Sequence, residues 1–571
     1  MNLRQLAFHD HPNTIFCFLA GATSAFAFTP TSTAIPIILA LSTLLVYSPI
    51  LFRKFDRARN VSLLIITLSL GSCTFRLQPS LRALSTPGGS IVALWLSSAT
   101  LSSFAVFTLF LYTKLSTRAT SHVARVFIFP ALWATVWCTV AALSPVGHLS
   151  TWSLADHADA YNWMTPFFGS TSKDWIVGAW AVVLANACTY WYMGAAEEEH
   201  NDDLFRAPDE PRKPITSSGH AVGTLAMLLV LLSLPSFILS DLPLPISSID
   251  SVTPVSVACI NPPRHHIKNQ IPTLHDYIQE TKQMQSSAKI LLWPEGAVVF
   301  SSEQEREDAF VQIRSLSAGS YVGVSFEEVV AEASNPTGQN HYTRTGLALI
   351  DQKSNDTYLE YYKRNLVPFA ESYRLRHSTN NPPLYEASFS PPNGISQGKW
   401  GNRTRSLPLT ASICLDFATP SPFSSLESRP GLILAPARTW DRAVGQAMWL
   451  QARQRAAELD TMILWCDGGE GGVSGVAGGG FNDPIHVGSG SFVQTIGIQY
   501  PFNSHRTVYA GYGDSALLLY WIFVVGPELL VAISFGGRLG GVQRVWRTFR
   551  QRLLGRSQPG IPNLIDIEND G

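Results

Sequence analysis

The residues in this chain that could do chemistry fall in three short stretches: LLWPEGAVVF (291–300), EYYKRNLVPFAES (360–372) and TASICLDF (410–417). Each stretch carries one reactive side chain at the end of an apolar run, namely Glu295, Lys363 and Cys414. An acid, an amine and a thiol in this combination make and break acyl–sulfur bonds. The thiol supplies the nucleophile, the carboxylate takes its proton, and the ammonium stabilises negative charge as it develops on oxygen. Taken singly, each residue has a plainer use. Glu295 could open a helix behind Pro294, Lys363 could be a solvated lysine, and Cys414 could be an inert core thiol.

The elements that must position these residues begin near residue 250. Strands are expected at 252–260, 289–293, 320–326, 345–350, 358–363, 409–415, 431–436 and 461–466, with helices at 273–286 and 441–459. Alternating strand and helix signals predict an α/β layered domain. In such folds functional groups gather at strand ends, where all three residues lie.

The rest of the chain has a different character. Only 15% of the 571 residues are charged and 46% are hydrophobic, whereas a soluble protein carries about a quarter charged residues. Runs long enough to span a bilayer fall at 12–28, 33–52, 60–77, 90–112, 123–145, 173–194 and 219–239, and an eighth at 514–535. The first run could be a signal peptide, but only Arg4 is basic before it and a second run follows at once, so a retained helix is expected. Arg53, Lys54, Arg57 and Arg59, then Lys114, Arg118 and Arg125, then Arg206, Arg212 and Lys213, and finally the arginines after 535 all fall on one side of eight spans. That side is the cytosolic one by the positive-inside rule. The predicted organisation is a seven-span domain (1–240), an extracytoplasmic catalytic domain (241–513), an eighth helix (514–535) and a basic cytosolic tail (536–571), with both termini cytosolic. The sequons at Asn355 and Asn402 fall on the extracytoplasmic side and fit a secretory-pathway membrane.

Other readings are bland. A net charge of −1 gives no sign of nucleic-acid binding. Cys17, Cys73, Cys138 and Cys188 lie in apolar segments and read as small buried hydrophobes. The other cysteines, Cys259, Cys414 and Cys466, form no C-x-x-C or Cys/His cluster, so neither metal nor cofactor is expected. The adjacent His265 and His266 read as a surface loop, and 196–214 as a solvated connector. The stretch DGGEGGVSGVAGGG (467–480) lacks the Gly-Lys-Ser/Thr ending of a phosphate loop and predicts a tight hairpin with a flexible tip.

WPEGA around Glu295, YYKRNLVPFAE around Lys363 and SICLD around Cys414 together resemble the signature blocks of the nitrilase, or carbon–nitrogen hydrolase, superfamily, whose members carry a Glu-Lys-Cys triad on an αββα sandwich. The membrane branch it most resembles is that of apolipoprotein N-acyltransferase. That branch has seven spans, an extracytoplasmic catalytic domain and one closing span, and VYAGYGDSALLL (508–519) is similar to its last segment. The resemblance implies that Glu295 is the general base, that Lys363 stabilises the oxyanion and that Cys414 holds an acyl thioester. It also implies supporting roles for Glu371 and Asp416. The expected partners are a phospholipid acyl donor and an amine-bearing acceptor, with the protein acting as a monomer. An amide hydrolase is the alternative, because Cys414-Leu415-Asp416 stands where the branch has Cys-Tyr-Glu, and Ala435 and Ala437-Arg438-Thr439-Trp440 replace its Asn-Asp. Arg455, in QARQRAAE, is expected to have a structural or supporting role.

Overall fold

The computed structural model describes residues 8, 10–29, 33–52, 56–153, 158–193, 216–239, 241–263, 271–316, 319–331, 341–351, 353–354, 356–392, 400–401, 404–420 and 423–535. Asn355, Asn402, His265, His266, the 196–214 connector, Arg53, Lys54 and the 536–571 tail lie outside the described residues.

Eight long helices occupy the positions of the eight apolar runs: α1 Pro12–Ala27, α2 Ala34–Leu51, α3 Arg57–Cys73, α4 Pro87–Ser116, α5 His122–Leu143, α6 Ser170–Met193, α7 Thr216–Ser233 and, at the far end of the chain, α11 Ala516–Phe535. They share one apolar cluster, within which Trp133, Trp137 and Trp152 are almost wholly buried. The last helix is tied to α5 by polar contacts. Glu528 accepts the Thr120 and Ser121 backbone N–H groups, each at 2.8 Å, and Trp521 Nε1 donates to Thr135 Oγ1 at 3.0 Å. Among the described residues, six helical stretches are long and apolar enough to cross a membrane: Ala34–Leu51, Arg57–Ser80, Pro87–Ser116, His122–Leu143, Gly219–Ile238 and Val508–Ile533. The 16-residue α1 is short for a span. Helix α6 opens on Ser170-Thr171-Ser172-Lys173-Asp174, which are buried inside the protein. Cys17 is buried as expected, but Cys73 and Cys138 are half-buried and Cys188 is exposed. The expectation of burial therefore fails at Cys188, where no other described residue covers the thiol.

The second half builds two mixed sheets. The first contains β1 Val252–Cys259, β2 Ile290–Leu292, β3 Val298–Phe300, β4 Tyr321–Ala331, β5 His341–Ile350, β6 Leu359–Tyr362 and β13 Phe492–Gln499, in the order β13-β1-β2-β4-β5-β6 with β3 also on β4. The second contains β7 Tyr385–Phe389, β8 Arg405–Ala411, β9 Leu432–Ala437, β10 Met462–Asp467, β11 Val473–Ala477 and β12 His486–Val487, in the order β12-β11-β10-β9-β8-β7. Pairs β1/β2, β2/β4, β8/β9 and β9/β10 are parallel, and parallel neighbours need crossover connections. Helices α8 Leu274–Met284, α9 Glu303–Leu316 and α10 Arg442–Leu459 serve here. A capping box of Thr273 with Asp276 starts α8, satisfying backbone N–H groups that a helix start leaves free.

One buried cluster draws from both sheets, including Val257 and Leu292 from the first and Leu409 and Leu434 from the second. Another joins the first sheet to α8 and α9 through Trp293, Tyr277 and Phe310. A disulfide between Cys259 and Cys466 links β1 to β10, and so joins the two sheets.

Several elements differ from expectation. Strands β4 and β5 run past the apolar cores at 320–326 and 345–350, because the polar continuations pair with each other down to Ala331 and His341. The strand expected to end at the thiol stops at Ala411. Strands β3, β7, β12 and β13 and helix α9 are additions to the expected elements. The glycine-rich stretch does form the β10/β11 hairpin, but its tip is held by backbone packing. A Cβ on Gly469 would lie 1.7 Å from the Thr439 carbonyl oxygen.

The two halves interlock at α10. Glu458 accepts the Ser170 backbone N–H at 3.2 Å and the Gln454 amide at 2.9 Å, and pairs with buried Arg455. Lys173 Nζ donates to Gln454 Oε1 at 3.4 Å. Arg455 therefore serves the junction between the halves.

Candidate active site

Each candidate residue sits just past a strand. Strand β2 leads through Trp293 and Pro294 to Glu295, whose backbone N–H donates to the Ala437 carbonyl at the end of β9 at 3.3 Å. The next residue, Gly296, has φ +58°, a conformation open to glycine at little cost. Glu295 lies in this turn, so the helix-start alternative does not apply. Lys363 is the first residue after β6, and its N–H donates to Thr345 at 3.0 Å. Its ammonium is wholly buried, 2.6 Å from Glu295 Oε1 and 2.9 and 2.8 Å from the two Glu371 oxygens. Glu371 also accepts the Val367 backbone N–H at 2.9 Å, which fixes the loop that carries it.

Cys414 opens a short helix, Cys414–Ala418, with φ +45°. A side chain in this left-handed region is strained and persists only where the surroundings over-determine it. Asp416 does much of that work. It accepts hydrogen bonds from the Ile413 N–H (3.2 Å), the Tyr361 hydroxyl (2.8 Å), the Asn365 N–H (2.7 Å) and the Asn365 amide (3.1 Å). The thiol turn is thereby fastened to the loop that follows Lys363. On its other side the turn rests on the 147–150 segment from the helical half. Gly147 has φ +53°, and a Cβ there would lie 2.2 Å from the Ala418 carbonyl oxygen.

Electrostatics follow from burial. Desolvation raises the Glu295 carboxyl to about 7, against the opposing pull of Lys363. The Cys414 thiol is pushed well above its usual range by burial and by Glu295, while Lys363 and the Arg438 backbone N–H pull it down. Burial alone would lower Lys363, but Glu295, Cys414 and Glu371 together hold it well above its ordinary value. The ammonium is therefore permanent, and the carboxylate is a base poised near neutrality for a thiol that rests protonated.

Of the group, Glu295 and Glu371 line a cleft of about 410 Å³ together with Glu327, Arg374, Trp440 and Glu470, among others, while Lys363 and Cys414 are buried and do not line it. Arg374 pairs with Glu327 at 3.1 Å. Trp440 donates from Nε1 to the Pro79 carbonyl at 3.3 Å, bringing the helical half to the cleft wall. Asp467 holds that wall, accepting from the Thr439 N–H (2.9 Å), the Thr439 hydroxyl (2.7 Å) and the Gly469 N–H (2.9 Å). Sequence reasoning missed Glu327, Arg374, Glu470 and Asp467. The only signal was a pair of carboxylates inside the β-like run SFEEVV.

No family model and no curated protein matches this chain. Among solved structures it is similar to Nit3 of Saccharomyces cerevisiae, described as a member of branch 10 of the nitrilase superfamily, at 14% identity and a TM-score of 0.30 over 43% of this chain and 90% of that one. It is also similar to the NitN amidase of Neterenkonia sp. AN1, at 17% identity and a TM-score of 0.29 over 47% and 99%. Likeness at this level carries no weight for activity.

Proposed function

We propose that this protein is a membrane-embedded acyltransferase that moves a fatty acyl group from a phospholipid, through a thioester on Cys414, to an amine. The observation that carries the reading is the meeting of three strand ends at one buried point: Lys363 within 2.6 Å of Glu295 and 2.8 Å of Glu371, beside a thiol held in a strained turn. The two mixed sheets and their covering helices fit the αββα sandwich of the nitrilase-like fold it resembles. Glu295 takes the Cys414 proton as the sulfur attacks the ester carbonyl. The tetrahedral oxyanion is stabilised by Lys363 and by the Arg438 N–H. The C–O bond breaks, and lysophospholipid leaves with the proton returned by Glu295. An amine then attacks the thioester, Glu295 accepts its proton, and the thiolate departs and is reprotonated.

The six apolar helices support a lipid donor, and the inter-sheet disulfide supports placement of the catalytic half on an oxidising, extracytoplasmic face. A lipoprotein N-terminus is one acceptor of the required chemistry. Amide hydrolysis is a second reading. Asp416 is fully engaged in hydrogen bonds that position the turn, and this leaves it no group to offer an acceptor.

Intact mass spectrometry of the purified protein after incubation with a defined phospholipid tests the proposal. An acyl-sized, hydroxylamine-labile adduct that disappears in Cys414→Ala is expected, followed by its transfer to an added amine. An adduct that survives Cys414→Ala would overturn it, and steady release of free fatty acid without any amine would select the hydrolase.

A further inference from the structure

At the end of the helical half remote from the cleft, a crevice of about 540 Å³ opens between α2, α4 and α6. It is lined by Arg57 and Lys114, by apolar side chains such as Leu45, Val182 and Ala185, and by the polar Ser48, Thr113, Asn186 and Thr189. Among the described residues no carboxylate lines it. The Arg57 guanidinium lies 5.4 Å from the Phe52 ring centroid and 4.9 Å from that of Phe110, and the Lys114 ammonium lies 5.8 Å from Phe110. Among the described residues neither cation has an ion-pair partner. Aromatic faces satisfy a cation only in part, and Arg in such a setting is suited to bidentate binding of phosphate.

A second cleft, of about 820 Å³, shares Phe52, Arg57 and Phe110 and is walled by Val61, Ile65, Val106 and Phe107, with Asp56 and Arg59 also lining it; that carboxylate pairs with Arg59 at 3.4 Å and not with Arg57. Two partly apolar grooves thus flank one cationic post. This is the complement of a molecule with two acyl chains and one anionic head. The site is not the donor site. Arg57 begins α3, whereas Pro79, beyond the other end of that helix, touches Trp440. At 1.5 Å per residue that is roughly 30 Å, about one hydrocarbon thickness.

We propose that this crevice binds a diacyl phospholipid with a net-negative headgroup, its phosphate on Arg57 and Lys114 and its chains divided between the two grooves. The proposal rests on reading the apolar helices as membrane spans but is independent of the chemistry at Cys414. Basic crevices between helices at the cytosolic surface are suited to such headgroups.

Native mass spectrometry of the full chain released from detergent micelles tests it, with dioleoyl phosphatidylglycerol titrated against dioleoyl phosphatidylcholine. Retention of phosphatidylglycerol at about tenfold lower concentration is expected in the wild type. Arg57→Gln with Lys114→Gln should remove that preference while leaving the Cys414 adduct unchanged. If the double variant does not fold, Ala185→Trp, which fills the crevice and keeps both cations, should expel the lipid instead. Equal retention of the two lipids by the wild type would overturn the proposal, as would undiminished preference in either variant. Full competition by millimolar inorganic phosphate would also overturn it, since that marks a free-anion site. Loss of the adduct with lipid preference intact would count against the acyltransferase reading alone.

Discussion

The protein buries two glutamates whose carboxyls are pushed to about 7 by desolvation, Glu295 beside Lys363 and Glu458 beside Arg455. Each faces a cation, and each sits where the chain needs rigidity. They differ in what surrounds them. Glu295 opens on a cleft and lies beside a strained thiol. Glu458 is sealed between α10 and α6, with a backbone N–H, a side-chain amide and a guanidinium filling its oxygens. A perturbed carboxyl marks a catalytic group only where a nucleophile and a route for substrate accompany it. At Glu458 the same physics fastens two halves of a molecule together.

This contrast can be broken most sharply at the thiol. Cys414→Ala should abolish the hydroxylamine-labile adduct, and Glu295→Gln should slow its formation by about 10²–10⁴-fold, read by stopped-time mass spectrometry. Glu458→Gln should change that rate by no more than about twofold, because nothing at that site meets substrate. A comparable loss at both positions would erase the distinction. Gly147→Val should cost about 10²-fold in adduct formation and in alkylation of Cys414, since displacement of a reacting group by about 1 Å has that effect. A thermal melt would show whether the fold persists.

The pH responses should run in opposite senses. Acylation should rise with pH through about 7 as Glu295 loses its proton and becomes a base. Stability should do the reverse. The Glu458 carboxyl has a folded value raised above its ordinary 4.5, so the folded state binds the extra proton between about 4.5 and 7. Its contribution is complete below 4.5, is lost as pH rises to about 7, and is flat above that. Melting curves of wild type and Glu458→Gln across that window should show the smaller pH slope in the variant, by a few degrees at most.

The three candidate residues were legible because each ends an apolar run and, above all, because their flanks together resemble one family, a signal that none of them gives alone. Glu371 and Asp416 were legible only through the family resemblance, and the hydrogen bonds that fasten Asp416 to Tyr361, Arg364 and Asn365 come from another strand end. The Glu327–Arg374 pair was not legible, since a strand residue and a loop residue meet only once β4 has been extended by its pairing with β5. The disulfide was likewise hidden, because its cysteines are 207 residues apart and spacing does not select a partner. Hydropathy located all eight long helices but overlooked that α6 spends its first turn, Ser170 to Asp174, inside the junction. It summed the apolar residues downstream and took no account of Gln454 and Glu458 waiting at the start.

Gly147 carries a consequence for how such a protein can be rearranged. What stands nearest to it is the carbonyl of Ala418, with the Thr419 methyl beside it, and every residue type offers the same carbonyl at position 418. Substitution at 418 therefore cannot relieve a side chain at 147, so the constraint belongs to one partner alone. A hybrid that joins this two-sheet half to foreign helices must bring its own glycine to that place, or the turn that carries Cys414 will be pushed aside in an otherwise folded domain.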